Sequence, residues 1–177
     1  ELISLKKDFK FQIHNYFPPA KDSFVINLAS QDKEVEEKSL NFVRSSIELA
    51  SKIGGTHYSF HAGFLLDPKP KELGNKLSKV EIFDRDKAKA TFYKNMKSIS
   101  NFANDFKIKL LVENNVVSNE NLNHFKINPF LISEPKETSE FLKLFKESEV
   151  NILLDVAHLK VSANSLKSKA EDFFNVC

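Results

Sequence analysis

The sequence predicts an α/β protein: a parallel sheet of about four strands with helices packed outside it. Three observations lead there. The stretch 151–165, NILLDVAHLKVSANS, opens on the run Ile152, Leu153, Leu154. That run is apolar, short and not alternating, so it reads as a strand buried on both faces, the habit of parallel sheets. Similar short runs stand at 11–14, 57–61 and 109–113, separated by segments with helical apolar spacing, and such alternation gives a parallel sheet with helical crossovers. Finally, the four runs close on residues able to bind a cation or move a proton: His14, His61, Glu113 and Asp155.

Composition sets the bounds. The chain has 177 residues, 41% hydrophobic and 28% charged, which suits one domain over 1–177 with its own core. Seventeen Phe and no Trp make that core aromatic without indoles. A formal charge of +2 gives no electrostatic reason to expect nucleic acid or a membrane surface. Arg44 and Arg85 are the only arginines, and arginine is the usual bidentate reader of phosphates and guanine edges. The single cysteine, Cys177, excludes an intrachain disulfide and points to a reducing, cytoplasmic compartment. No run approaches the ~18 apolar residues of a membrane span. The chain starts at Glu1 rather than Met, so its natural N-terminus is expected to lie upstream.

Taken in order, residues 1–9 carry Leu2, Leu5 and Phe9 at helical spacing. FQIH follows as the first strand, then a loop with Pro18 and Pro19. Ser30 is the expected cap of a helix whose stripe is Leu40, Val43, Ile47, Ala50 and Ile53, stopped at Gly54 and Gly55. HYSFH is the second strand. The long connection 64–83 after it contains Asp67, a turn former before Pro68, and has the length of a binding loop or lid. A helix over 84–106 buries Ala88, Phe92, Met96, Ile99, Ala103 and Phe106. KLLVE is the third strand, and a second long loop runs to Pro135. A shorter helix carries Phe141, Leu142, Leu144 and Phe145. After the fourth strand, a last helix is expected to begin near Ser165.

In a parallel sheet every C-terminal end points the same way, so His14, His61, Glu113 and Asp155 share one rim, with His158 just beyond. Barrel enzymes keep their sites on such a rim, and His, Glu and Asp are ligands for Zn, Mn, Mg or Co. Singly, each residue has a plainer reading, a hydrogen-bonded histidine or a capping aspartate. Four strands all ending so are harder to assign to caps. His57, at the start of its strand, reads as structural, and His124 in NENLNHFK as exposed. Lys160 is either solvated or within reach of the site.

The segments IHNYFPPAKDSFVINLAS, YSFHAGF, LLVENN and ILLDVAHLKVSANSL, in that order, resemble the xylose isomerase-like TIM barrels. That superfamily holds sugar-phosphate isomerases and epimerases and also endonuclease IV. The resemblance implies a partial (β/α) TIM barrel, strands two to five of a parent with eight, and therefore a fragment of a longer enzyme. It implies that Glu113 and Asp155 bind a divalent metal ion, with His61 and His158 as possible further ligands. It implies that Glu113 also transfers protons, and that His14, His61, His158 and Asn115 meet the substrate.

The function expected of the parent is metal-dependent isomerisation or epimerisation of a sugar or sugar phosphate, by proton transfer next to a carbonyl. An endonuclease IV-like zinc phosphodiesterase acting on abasic DNA, and a non-catalytic sugar-binding barrel, are the alternatives. The chain alone is expected to be inactive and to bind metal weakly. Its two open sheet edges are expected to pair in a homodimer, with Ile13, Phe60, Leu111 and Leu153 on the inward face.

Overall fold

Four strands lie side by side in the order of the sequence, all parallel: β1 (Ile13–His14), β2 (His57–His61), β3 (Lys109–Glu113) and β4 (Val150–Leu153). The structure, a computed structural model, describes residues 2–78, 80–146, 148 and 150–177. In-register pairing sets His14 opposite Ser59, His61 opposite Glu113, and Glu113 opposite Leu153. This is the α/β architecture of a partial TIM barrel.

Side chains alternate across a strand, and the register sorts them onto two unlike faces. Ile13, Tyr58, Phe60, Leu110, Val112 and Val150 share the face covered by helices, and all are buried in the main core. His14, Ser59, His61, Leu111, Glu113, Asn151 and Leu153 share the other. So Leu111 and Leu153 face inward as expected, whereas Ile13 and Phe60 pack against helices. β4 is accordingly not buried on both faces: Asn151 is exposed and Leu153 half-buried. A non-alternating apolar run could not reveal this, because both of its faces are greasy whichever is covered.

α1 (Leu2–Leu5) is a single turn. α2 (Lys33–Lys52) buries Val43, Ile47 and Ala50. Its cap is Asp32 rather than Ser30: the Asp32 carboxylate accepts the N–H groups of Glu34 and Val35. The Ser30 hydroxyl instead donates to Asp67 Oδ2 at 2.7 Å. Ile53 closes the helix, and Gly54 at φ 78 takes the left-handed turn that glycine adopts without a Cβ penalty.

α3 (Arg85–Asp105) is capped by Asp84 and buries Ala88, Phe92, Met96, Ile99 and Ala103 of the expected stripe, while Phe106 is its half-buried C-cap. Glu36, buried on α2, accepts from Asn95 on α3 at 3.0 Å and pairs with Lys33 and Lys94. Burial alone would raise its pKa. The hydrogen bonds from Lys33 and Asn95 and the charge on Lys94 outweigh that and hold it below the ordinary value.

Two expectations about helices fail. The loop expected before Pro135 contains α4 (Asn119–Phe125), capped by the Ser118 hydroxyl and ended by Lys126 in a left-handed conformation. Three asparagines and a histidine hide its apolar stripe, so His124 is half-buried on a helix rather than exposed. After α5 (Pro135–Leu144), the last helix does not begin near Ser165. α6 (Val156–Leu166) starts directly behind Asp155, which is its N-cap, and ends near Ser165. α7 (Ala170–Phe174) follows. The aspartate that seemed to end a strand starts a helix.

A second apolar cluster, Val25, Phe64, Leu66, Leu77, Val117 and Phe130, lies beneath the 64–83 connection. It gives that long segment an anchorage of its own, which is why it can form a wall. Among the described residues, no helix is long and apolar enough to cross a membrane.

Candidate active site

Glu113 is the centre of the rim. As the last residue of β3 it sits in the middle of the sheet, and it is 4% exposed. Its two oxygens face different partners. Oε2 lies 3.3 Å from His14 Nε2 and 3.3 Å from His61 Nδ1; Oε1 lies 3.6 Å from His158 Nδ1. Asp155 Oδ2 is 3.9 Å from His158 Nε2. Thus His14, His61, Glu113, Asp155 and His158 gather as the sequence implies. They form two donor triads that share Glu113, His14–His61–Glu113 and Glu113–Asp155–His158, with ligand atoms within 4.8 Å of one another in each.

The local fold fixes each side chain. The His158 ring nitrogen Nδ1 lies 3.0 Å from the Asn114 carbonyl. A carbonyl only accepts, so Nδ1 carries the proton and, in the neutral ring, Nε2 keeps its lone pair. Asp155 Oδ1 accepts the His158 N–H at 2.8 Å as the α6 cap, leaving Oδ2 toward the rim. That backbone hydrogen bond is the main reason the Asp155 pKa is held down.

Electrostatics separate the groups. Burial lowers His61 from 6.5 to about 4, helped by the neighbouring His158 and His14. Burial lowers His14 as well. Burial raises Glu113; the charge of His158 opposes the shift and Asp155 adds to it. The site at neutral pH therefore offers neutral imidazole nitrogen beside carboxylate oxygen, the mixed N/O donor set suited to Zn, Mn or Co.

A further observation tests whether a cation fits. His61 Nδ1 and Glu113 Oε2 are both buried and, among the described residues, neither has a hydrogen-bond partner. Although only 3.3 Å apart, they are not hydrogen-bonded to each other. Leaving two such groups unsatisfied costs free energy, and a shared cation would satisfy both.

Two of the rim residues, His61 and His158, border a cleft of about 640 Å³ that His14, Glu113 and Asp155 do not line. Its volume is within the usual range for small-molecule sites. Asn15, His61, Asn115 and His158 line its floor side, and Leu73, Gly74, Asn75 and Leu77 of the long connection form a wall opposite. Asn121 joins that wall to α4: its Oδ1 accepts the Leu77 N–H at 2.9 Å and its Nδ2 donates to the Asn75 carbonyl at 3.3 Å.

The remaining sequence candidates fall as follows. Asn115 borders the cleft, but its amide donates to the carbonyls of Ala62, Gly63 and Leu131, so its Nδ2 is committed to the backbone. Asp67 ties Asn27 and Ser30 together beneath the connection. His57 bonds Thr56 away from the rim, and Lys160 is exposed on α6.

Sequence reasoning missed two residues. Asn114 bridges β3 to Asp155, and Asn15 touches both His14 and His61. The signal for both was an asparagine directly after a rim residue.

No curated protein matches the sequence. Solved structures share the fold. A D-tagatose 3-epimerase-like protein is 18% identical, with TM-score 0.64, covering 99% of this chain and 56% of its own. A D-psicose 3-epimerase solved in the presence of D-fructose is 17% identical, with TM-score 0.63, covering 90% and 49%. A Thermus thermophilus protein soaked with ZnCl2 is 21% identical, with TM-score 0.56, covering 89% and 51%. The chain thus spans about half the length of these structures. The family model for xylose isomerase-like TIM barrels matches residues 2–172. With the sheet and its rim of ligand-type residues, that match identifies the chain as a member of the xylose isomerase-like TIM barrel family.

Proposed function

We propose that this chain carries part of the active site of a divalent-metal-dependent sugar or sugar-phosphate isomerase or epimerase. The observation that carries the reading is Glu113: a buried carboxylate with one oxygen unsatisfied, facing an equally unsatisfied histidine, His61, that itself borders a cleft of sugar size. The sugar 3-epimerases among the structural relatives are consistent with it.

Glu113 and Asp155 would hold the cation, with His61 and His158 as further donors. When bound, it would supply positive charge against the substrate oxygens as negative charge builds there. Glu113, made more basic by burial, would take the proton from the carbon next to the carbonyl. His14, His61, His158 and the free oxygen of Asn115 would meet substrate hydroxyls. The cleft wall at 73–77 would exclude water. The chain is read as one partial-barrel domain of a cytoplasmic protein, inactive by itself because its four strands are half of a closed barrel.

The test is isotope exchange. Full-length protein supplied with Mn or Zn should exchange solvent deuterium into a ketose or its phosphate at the carbon beside the carbonyl. Absence of exchange across a panel of ketoses would exclude this reaction class.

One observation favours a second reading. The two triads on opposite oxygens of Glu113 could hold two cations, as a phosphodiesterase of the endonuclease IV kind would use. Against it, both arginines are engaged elsewhere. Arg85 binds the carbonyls of Asn128 and Phe130 and pairs with Glu137, and Arg44 reaches Ser98. Neither borders the cleft, and DNA affinity rests on neutralising phosphates. Cleavage of an abasic duplex would reverse the ranking, whereas bound sugar without metal or exchange would favour a non-catalytic barrel.

A homodimer is proposed through the sheet edges. β1 and β4 are the outer strands, and an open edge is a template for pairing. Light scattering at micromolar concentration tests it; a stable monomer near 20 kDa would exclude it.

A further inference from the structure

Asn15 follows the first rim histidine and stands in the left-handed region, at φ 47, a conformation asparagine tolerates better than most residues. Every polar group it owns is engaged. Its N–H donates to the Ser59 carbonyl at 2.7 Å, and its carbonyl accepts from the Tyr58 hydroxyl at 2.9 Å. Its side-chain Oδ1 accepts the His61 N–H at 3.1 Å, and its Nδ2 lies 2.6 Å from His14 Nε2.

The first of the side-chain bonds settles which way the amide points. A backbone N–H can only donate, so the oxygen faces His61 and the NH2 group must face His14. The NH2 can only donate in turn. His14 Nε2 therefore accepts, and in the neutral ring the proton sits on Nδ1, 2.8 Å from the Ser59 hydroxyl. Without that constraint His14 would have a better use for an Nε2 proton. The buried, unsatisfied Glu113 Oε2 is 3.3 Å away, and a charge-assisted bond to it would be stronger than the one to Ser59.

We propose that Asn15 is a positioning residue that holds His14 in its Nδ1–H form, so that Nε2 keeps its lone pair and Glu113 Oε2 is not consumed by a histidine proton. Asn15 acts as a placeholder. Its NH2 covers the nitrogen that would otherwise cap the carboxylate, so Glu113 Oε2 stays open to a cation. The same amide ties the His61 backbone to the arrangement, so one residue sets both histidines of the triad. This inference rests on the reading of Glu113 as a cation ligand, but its test needs no cation.

The experiment is long-range ¹H–¹⁵N correlation of the histidine rings in metal-free protein near pH 8, where unperturbed imidazoles are neutral. The variants are Asn15→Gly, which deletes the amide while permitting the left-handed backbone, and Asn15→Asp, which keeps an acceptor for His61 and turns an acceptor toward His14. In the unaltered protein His14 should show a bare Nε2 and a protonated Nδ1. In both variants the proton should move to Nε2, with the His57 and His124 signals unchanged as evidence of folding. An Nε2–H form in the unaltered protein, or an Nδ1–H form persisting in a folded variant, overturns the proposal. Zinc calorimetry on the full-length protein is a separate arm. If zinc does not bind, the cation reading fails, while the ring signals still decide what Asn15 does.

Discussion

Asn114 and Asp155 are joined by two hydrogen bonds that carry the β3–β4 pairing beyond the strands. The Asp155 N–H donates to Asn114 Oδ1 at 2.7 Å, and Asn114 Nδ2 donates to the Asp155 carbonyl at 3.2 Å. A side-chain amide here imitates a strand and sets the backbone from which α6 springs. Asn114→Ala should remove both bonds and loosen Asp155 relative to Glu113. We expect a loss of about 1–2 kcal/mol in chemical denaturation and an about ten-fold weaker zinc affinity by calorimetry. Unchanged affinity would show that Asp155 is placed by its helix alone.

Glu113→Gln should separate chemistry from stability. The amide can donate to His61 Nδ1 and removes a buried charge, so the thermal midpoint should hold or rise. Isotope exchange in the full-length protein should fall by at least about 100-fold. A clear loss of stability would mean the carboxylate is structural.

Acid should weaken the fold through His61. Its folded pKa lies at about 4 against 6.5 for the free group. Between those values the unfolded chain takes up a proton that the folded chain refuses, so stability falls as pH drops through that window. His14 is lowered too and acts in the same sense. Glu113 is raised and acts oppositely: its folded form binds a proton first, which favours the fold as pH falls. His61→Asn should flatten the loss. Urea midpoints between about pH 7 and 4 measure it, and parallel curves for the two proteins would refute the assignment.

Arg85→Lys should cost about 1–2 kcal/mol. The guanidinium meets the carbonyls of Asn128 and Phe130 together with buried Glu137. A lysine keeps a charge but not that fork. The Arg85 side chain is a third exposed, so the loss should stay below that of a fully buried pair. Urea denaturation reads it.

Gly63→Ala should be worse. A Cβ at that position would sit 2.5 Å from the Ala29 Cβ, a group with no freedom to swing away. Overpacking of this kind costs about 1–3 kcal/mol, and the shift would fall two residues after His61. A thermal midpoint equal to that of the unaltered protein would mean the backbone has slack there.

The four strands, their order and their rim residues were legible because each strand is short, three of them end on a ligand-type side chain, and Asp155 stands two residues past the fourth. The two long helices were legible from their stripes and end signals. The less visible features were those in which a polar residue does a backbone's work. Ser30 looked like a cap, yet Asp32, two residues on, had the better geometry. Asp155 looked like a strand end because an N-cap and a strand terminus draw on the same residue type. α4 escaped because its sequence is rich in asparagine, a poor helix former, and tertiary packing of Leu122 and Phe125 on the second apolar cluster overrides that preference. The site was legible as a set of residues but not as an arrangement. Nothing in the sequence said that Glu113 would turn one oxygen to His14 and His61 and the other to His158, or that Asn15 would stand between two of them.

The strict alternation along β2 and β3 divides mutational tolerance. Phe60, Leu110 and Val112 answer only to the helices above them, while Ser59, His61, Leu111 and Glu113 answer to whatever enters the barrel side, and Tyr58 answers to both through its hydroxyl on the Asn15 carbonyl. In a deep mutational scan, changes in the first set should register as lost abundance, and changes in the second as altered chemistry at normal abundance. A lineage could thus exchange one substrate for another by drift on alternate residues of two strands, without renegotiating its core.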